Sequence, residues 1–458
     1  MAKFIGSIKQ HPARVSVIWY AATIAIGAVL LTQPLSYTDE QRPITALDAA
    51  FTATSAVCVT GLTVRSTGND FSWLGQLVIL ALIQVGGVGI MTVTTYITLQ
   101  LGGRQSLRQR AVISETLGAA ENANVRWVLG RVLRLTLAFE GAGALALFVR
   151  FLFDYPPRIA LWHAVFHSVA AFCNAGFGLH DDNLVRYQGD WIVNLTVIGL
   201  IVTGGIGYPV MIDLGRHWHK PWRDRWEGLL LHSKLMVVGT AFLLAFGAVT
   251  FVLLEGDGVL RGMPLPRRWL VALFHSTTCR TAGFNTINVG ELTSATLFLT
   301  IMLMAVGTGP CSTGGGFKVS TFTVLVLRVW NSFRGWSQIN VGRRTIPEAA
   351  VDRAIAAATG FSAVAVIMLT VLLAIEPTNR PFAASAGDFM DKVFEVVSAL
   401  GTVGLSTGIT PHLSTGGKIV LVLLMFIGRL GPITAFIALS RGQRKQAIEY
   451  AQEEPLIG

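Results

Sequence analysis

Apolar residues run along this chain in long stretches separated by short polar corners, and the stretches come in two kinds. The long ones run from about Val15 to Leu35, Phe71 to Leu101, Trp127 to Phe153, Trp191 to Leu214, Ser233 to Leu254, Leu292 to about Trp330, Ala354 to Ile375 and Gly417 to Leu439. Each offers the ~20 apolar residues that a helix needs to cross ~30 Å of hydrocarbon. Between the members of each successive pair lies a shorter stretch: one after the polar corner Ser36 to Pro43, then Ile159 to Leu179, Arg267 to Phe284 and Phe389 to Thr407. The pattern predicts an all-α integral membrane protein of four tandem span, pore loop, span units, at 1–101, 102–214, 215–330 and 331–440, with a tail at 441–458. The second unit is preceded by a basic loop, and the third contains an irregular segment at 307–318.

The short stretches are approximate copies of one another. The chain reads FTATSAVCVTGL from Phe51, FHSVAAFCNAGF from Phe166, FHSTTCRTAGF from Phe274 and FEVVSALGTVGL from Phe394, with Phe-to-Gly separations of ten, ten, nine and ten residues. Self-similarity of this kind governs the reading of everything else. A short helix ending in an extended, glycine-bearing strand is the plan of a potassium-channel pore loop, where four strands face one axis and backbone carbonyls replace the water around an ion. Four copies therefore predict one pseudo-fourfold pore. Its filter residues are Val59, Thr60 and Gly61; Asn174, Ala175 and Gly176; Thr281, Ala282 and Gly283; Thr402, Val403 and Gly404. Any one of these glycines, in a chain with 48, reads more readily as an ordinary turn residue; the same context four times reverses that reading. The ion would be held by carbonyl oxygens, and no side-chain carboxylate is needed. Four short helices aiming their carboxyl ends at one axis each contribute ~0.5 of a negative charge.

Composition and charge sharpen the picture. Of 458 residues 52% are hydrophobic and 14% charged, with a mean hydropathy of +0.57; soluble domains carry ~25% charged residues. The first apolar stretch lacks a small-residue cleavage site, so it is expected to be a span rather than a signal peptide. The net charge of +10 does not mark a nucleic-acid partner, because the basic residues fall on one side of the eight-span layout. They are Lys3, Lys9 and Arg14; Arg104, Arg108, Arg110 and Arg126; Arg216, Lys220, Arg223 and Arg225; Arg334, Arg343, Arg344 and Arg353; and Arg441, Arg444 and Lys445. Positive residues mark the cytoplasmic face, so both termini are expected in the cytoplasm of a multi-pass plasma-membrane protein. The opposite face has arginines too, such as Arg261, Arg267 and Arg268, and collects Asp39, Glu40, Asp181, Asp182, Asp190, Glu255, Asp257 and Glu291. Those acids either concentrate cations at a pore mouth or are solvated loop ends. The four cysteines, Cys58, Cys173, Cys279 and Cys311, form no disulfide framework and have no metal-ligand spacing.

One long run departs from a helix. Gly307 to Gly316 holds one proline and five glycines in ten residues, which a regular helix resists. A broken helix with a flexible insert beneath the filter fits. No strand precedes it and no Gly-Lys-Ser/Thr follows, so a phosphate-cradling loop is excluded. Charged residues at membrane depth are costly and face a cavity or a partner. Arg429 is expected to form a structural ion pair or to contact carbonyls. Arg280 is expected to bond carbonyls or Glu395, Glu140 to pair with Arg134 or face an interface, and Lys318 to snorkel or add charge to the insert. His163, His167 and His275 read as packing or capping residues, and no enzyme constellation is present. Alternating-access carriers use inverted repeats, whereas these four units all run in one direction.

The four signatures, SAVCVTGL and TVGLSTG among them, together with GTGPCSTGGGFK, resemble the membrane subunit of the Trk/Ktr/HKT superfamily of potassium transporters, most of all the Ktr type, over about Arg14 to Ser440. The resemblance implies gated potassium uptake, a homodimer in membrane lipid, and a cytoplasmic ring of nucleotide-binding, RCK-type regulatory subunits. No organic cofactor is implied in this chain, and sodium is the second candidate cation. It also implies that the insert obstructs the pore, giving Gly307, Gly309, Gly314, Gly315, Gly316, Lys318 and Arg429 as gate residues. Sodium-passing members carry Ser at the first filter glycine, so Gly61 favours potassium; the alternative is a pathway of low selectivity that passes sodium as well.

Overall fold

The structure, a computed structural model, describes residues 12–39, 43–102, 125–336, 338–341, 344–376 and 386–431, with side chains described for all of these except 12–15, 90–102, 125–129 and 386. Lys3, Lys9, Glu40, Arg104, Arg108, Arg110, Arg343, Arg441, Arg444, Lys445 and the last apolar run beyond residue 431 lie outside the described residues, as do the side chains of Arg14 and Arg126.

The first quarter of the chain folds as α1 (Pro12–Leu31), a short α2 (Ala46–Val57) and a long α3 (Trp73–Gly102). α2 starts at Thr45, whose hydroxyl accepts from the Asp48 N–H at 3.1 Å, satisfying one of the donors that a helix start leaves free. The next quarter gives α4 (Val125–Phe151), a short α5 (Pro157–Phe172) opened by proline at its first position, and α6 (Trp191–Ile206), capped by the Asp190 carboxylate on the Val193 N–H at 3.0 Å. α7 (Tyr208–Arg216) and α8 (Trp222–Gly228) lead to α9 (Leu231–Leu254), the short α10 (Leu265–Thr278), α11 (Ser294–Ala305) and α12 (Val319–Phe333). The last part comprises α13 (Glu348–Ile375), α14 (Ala386–Gly401) and α15 (Thr415–Leu430). By length and apolar composition Gly130–Phe151, Leu231–Leu254 and Glu348–Ile375 can each cross a membrane, and the bent pair α6 and α7 makes a fourth such span. Their outward residues are large and apolar, as at Leu145, Phe242 and Val366.

Close packing of the long helices on the short ones depends on glycine. Gly86 of α3, Gly204 of α6 and Gly428 of α15 lie so near the carbonyl at the end of a short helix, that of Val57, Phe172 and Leu400 respectively, that a Cβ would collide with it. A Cβ on Gly87 would stand 2.7 Å from the Cys173 sulfur. Small residues that let backbones approach are the usual means of association where lipid removes the hydrophobic drive between helices.

Two features differ from the sequence expectation. The apolar run Trp191 to Leu214 is not one straight helix: it bends by 101° between α6 and α7. Pro209, in the first turn of α7, cannot donate to the preceding helix, and the insert of residues 307–318 packs at the bend. Gly207 sits at the bend with φ 99 and abuts the Pro310 carbonyl, and the Tyr208 N–H donates to the Cys311 carbonyl at 3.0 Å. The second difference is a hairpin, β1 (Ile339–Val341) antiparallel to β2 (Arg344–Ile346), between α12 and α13. Its Ile339 and Ile346 pack with Val351 against Leu231, Leu235 and Leu327. The run Leu292 to Trp330 does break as expected, into α11, an irregular segment and α12, with an isolated bridge between Val306 and Phe317 closing the segment.

Candidate functional site

At the end of each short helix the chain repeats one backbone device. Val59, Asn174, Thr281 and Thr402 take φ of 55, 58, 63 and 51, and two residues later Gly61, Gly176, Gly283 and Gly404 take φ of 94, 70, 77 and 93. A left-handed conformation costs a residue with a side chain ~1–2 kcal/mol, and strain of this kind persists where the surroundings over-determine it. In an ordinary strand successive carbonyls point in opposite directions; left-handed residues at every second position turn them to the same side. The turns are tied back to the helices they leave. Thr60, Ala175 and Val403 N–H groups donate five residues back, to Ser55, Ala170 and Ser398, each at 2.8 Å. In the third copy, one residue shorter, Ala282 donates to Thr278 at 3.0 Å. The Ser55 and Ser398 hydroxyls accept from the N–H groups of Gly61 and Gly404 at 3.0 and 3.1 Å. Cys58, Cys173 and Cys279 are the C-caps of their short helices, fully buried as free thiols.

The four turns meet. A Cβ built on Gly61 would stand 2.5 Å from the Ala175 oxygen, one on Gly176 2.9 Å from the Ala282 oxygen, and one on Gly283 2.5 Å from the Val403 oxygen. On Gly404 it would collide with the Thr60 oxygen, which closes the ring in chain order. Glycine is thus required twice over, by φ and by the neighbouring carbonyl. All twelve residues read from the sequence as filter candidates lie at this junction or immediately before it. Above the ring opens a polar cavity of about 260 Å³ lined by all four glycines, with Thr63, Ser66, His180, Asp181, Asn183, Asn285, Ser406 and Thr410 among its walls.

Beneath the ring lies the insert. A Cβ on Gly307 would stand 3.2 Å from the Thr281 methyl, and Gly314 and Gly315 press against the hydroxyls of Thr281 and Thr402. Those hydroxyls and that of Thr60 are buried with no hydrogen-bond partner among the described residues. The insert is stitched in place on several sides: Gly309 N–H to the Gly205 carbonyl (2.8 Å), Thr313 N–H to Gly204 (3.2 Å), Gly307 N–H to Phe317 (2.7 Å), and the Thr313 hydroxyl to the Phe172 carbonyl (3.1 Å). Lys318 donates to the Gly314 and Gly315 carbonyls at 2.8 and 3.2 Å, so it neither snorkels nor faces open space. Arg429, 3% exposed, donates through one terminal nitrogen to the Thr313 carbonyl and through the other to the Gly86 carbonyl at 2.7 Å. Its role as a carbonyl contact is therefore geometric fact, and the two oxygens it joins belong to the insert and to α3.

The other charged groups at depth find partners that the sequence did not disclose. Arg280 does not reach Glu395: it donates to the Thr240 hydroxyl at 3.4 Å. Glu395 instead accepts from the hydroxyls of Ser406 and of Thr410 (2.9 Å), bracing the strand beyond its own turn. Glu140 accepts from the Gln84 amide at 3.1 Å, while Arg134 turns to the Gly130 carbonyl. The acidic loop residues divide by role. Asp190 caps α6, and Glu255 accepts from the Thr293 N–H and hydroxyl at 2.9 Å each. Burial pushes the Glu255 carboxyl up, but hydrogen bonds from Thr296 and Thr293 outweigh it and hold the carboxyl below its ordinary value. Asp181 does line the cavity, accepting from Ser66 and from the Asn69 amide. His163 and His167 pack with His180 and Tyr155 in a stack of rings, with His163 and His180 centroids 4.8 Å apart. Burial, then the charges of His163 and Arg186, lower His180 to about 3. His275 contacts the Thr300 hydroxyl at 3.0 Å.

Comparison with known proteins finds relatives along nearly the whole chain. Residues 16–446 match the TrkH family, described as cation transport proteins. The Ktr system potassium uptake protein B of Vibrio alginolyticus is 35% identical over 98% of this chain and 96% of its own length. The protein of the same name from Bacillus subtilis is 35% identical over 100% and 99%, and the potassium/sodium uptake protein NtpJ of Enterococcus hirae is 34% identical over 98% of both. The crystal structure of the potassium transporter TrkH from Vibrio parahaemolyticus superposes with a TM-score of 0.71 over 93% of this chain and 84% of that one, at 21% identity, a likeness of fold.

Proposed function

The chain belongs to the TrkH family of cation transport proteins, and from that premise we propose that it is the membrane subunit of a potassium uptake system, conducting potassium through a gated, channel-like path. The observation that carries this is the closed ring of Gly61, Gly176, Gly283 and Gly404, each at positive φ at the end of a short helix, between a polar cavity and a glycine-rich insert. Four units, 1–101, 102–214, 215–330 and 331–440, each supply one short helix and one strand to a single axis. Carbonyls of the twelve filter residues, from Val59 to Gly404, replace the hydration shell of the ion. The carboxyl ends of the short helices lend the ring a negative potential. The buried hydroxyls of Thr281 and Thr402 continue the row of oxygens inward. A potassium ion leaving the ring meets Gly314 and Gly315, held by Lys318 and Arg429, and the insert from Gly307 to Gly316 must move aside to let it pass.

The system names of the relatives from V. alginolyticus and B. subtilis support a second component. We place it on the cytoplasmic face as a nucleotide-binding, RCK-type ring docked on a homodimer of this chain, with both chain termini on that face of the plasma membrane. Only a ligand that distinguishes two states of such a ring can shift the gate. The printed name of the E. hirae relative includes sodium, so sodium is tested as a co-ion and as a competing cargo.

The deciding experiment is uptake of potassium, rubidium and sodium into vesicles reconstituted with the full chain. Potassium and rubidium uptake well above sodium supports the reading. Equal uptake of all three supports a low-selectivity pathway, and no uptake above empty vesicles, with or without the partner, refutes it.

A further inference from the structure

Two residues beyond the ring glycine, three units carry a polar side chain facing the outer cavity, Thr63, Asn285 and Ser406, whereas the second carries Gly178. The space is filled from elsewhere. Asn183 stands next to it, since a Cβ on Gly178 would lie 3.4 Å from the Asn183 amide carbon and nitrogen. Asn183 itself takes φ 55, a left-handed conformation that asparagine tolerates better than most side chains. The turn is pinned by Asn183 N–H to His180 (3.0 Å) and by Leu184 N–H to the Asn285 carbonyl of the third unit (3.1 Å). In that pose the Asn183 side-chain N–H donates to the Gly176 carbonyl at 3.0 Å. Among the described residues no hydrogen bond reaches the carbonyls of Gly61, Gly283 or Gly404.

We propose that Asn183 is a positioning residue that sets ion specificity, by engaging one of the four ring carbonyls and leaving three free. The inference rests on the filter reading above. A carbonyl that already accepts an N–H presents a weaker field to a cation, and the number and field strength of the ligands are what a filter of carbonyls can use to choose between ions. The smaller ion gains most from a strong field, so weakening one ligand in four favours potassium over sodium. The same bond holds the Gly176 carbonyl in direction, which keeps the ring from closing around a smaller ion.

The test is the ratio of rubidium to sodium uptake in vesicles carrying the full chain as Asn183→Gly, Asn183→Asp, Gly61→Ser or the parent. Glycine keeps the left-handed turn without strain and removes only the side chain; aspartate keeps the shape but, ionised, has no donor. Both are expected to lower the ratio about 2- to 10-fold, the range that loss of one neutral hydrogen bond spans, with rubidium uptake per folded molecule retained. An unchanged ratio in Asn183→Gly while Gly61→Ser lowers it overturns the role of Asn183 alone. An unchanged ratio in all three overturns the filter reading and this inference with it. Uniformly reduced uptake at a constant ratio assigns Asn183 a purely structural role and likewise overturns the proposal.

Discussion

Arg429 makes two contacts whose loss separates two accounts of a closed gate. In one, its fixed positive charge repels the approaching cation, an effect strongest in a low-dielectric pore. In the other, its planar fork ties the Thr313 carbonyl of the insert to the Gly86 carbonyl of α3 and holds the insert under the ring. Arg429→Lys keeps the charge but not the fork, since an ammonium donates from one nitrogen, whereas the guanidinium reaches its two oxygens from two separate terminal nitrogens. A hydrogen bond to a charged group is worth ~1.5–3 kcal/mol, so losing one raises the open-to-closed ratio about 10- to 140-fold at 1.4 kcal/mol per decade. Arg429→Ala loses both, ~3–6 kcal/mol by the same measure, or roughly two to four decades. The assay is the initial rate of rubidium uptake into vesicles, normalised to folded protein, with and without the regulatory partner. Fork clamping predicts raised basal uptake and weakened regulation in both variants, with Ala exceeding Lys. If Lys behaves as the parent and only Ala leaks, the charge and not the clamp closes the path. If neither changes basal uptake, Arg429 has no part in the gate.

Gly61→Ser is expected to lower the potassium-over-sodium ratio in vesicle flux, because its Cβ would meet the Ala175 oxygen at 2.5 Å and its φ of 94 resists a side chain; a parental ratio removes Gly61 from the filter. Deleting Gly314 to Gly316, or Lys318→Ala, which frees two carbonyls of the insert, should raise basal flux, and flux per folded molecule equal to the parent's would show the insert to be packing. Asp181→Asn is expected to lower uptake at low potassium by up to a few-fold, and the effect should fade in high salt, since exposed charges are screened beyond ~8–10 Å; an effect unchanged by salt would point to structure rather than charge. Glu255→Gln should instead lower thermal stability and leave uptake per folded molecule intact. Because the folded carboxyl is held below its ordinary value, its contribution is present above ~4.3 and disappears as pH falls through the folded value, so a stability difference between the two proteins that persists at lower pH counts against it.

Much of the fold was legible because its signals are local. The apolar runs, the four copies and the glycine-rich break between α11 and α12 need only composition and spacing, and the nine-residue third copy reappears as a turn closed four residues back rather than five. What stayed hidden depends on distant partners. Within Trp191 to Leu214 only Pro209 warned of a break; that the chain turns sharply at Gly207 against Pro310 and Cys311, a hundred residues on, has no local signal. Arg280 and Glu395 carry opposite charges in neighbouring copies, which suggested a pair, yet each bonds hydroxyls instead, one for Arg280 and two for Glu395. Asn174 and Thr281 were chosen for position alone and Thr402 as the start of a Thr-Val-Gly signature; the left-handed strain they share with Val59 has no composition signal beyond a following glycine. The Asn183 amide was missed because its partner, Gly176, lies across a loop.

The ring is assembled by one polypeptide rather than by four identical ones. In an assembly of identical chains every substitution arrives four times, so a lid or a single altered ligand is unavailable: four lids would compete for the room of one. Here a mutation is counted once, and each quarter can drift on its own. All four quarters carry the ring glycine, but the third alone holds the 12-residue irregular insert at 307–318, the second takes its side chain from a loop, and the last contributes the arginine at 429. Inheritance can thus revise the ring and the insert of this molecule separately, in single steps too small to lose the ring.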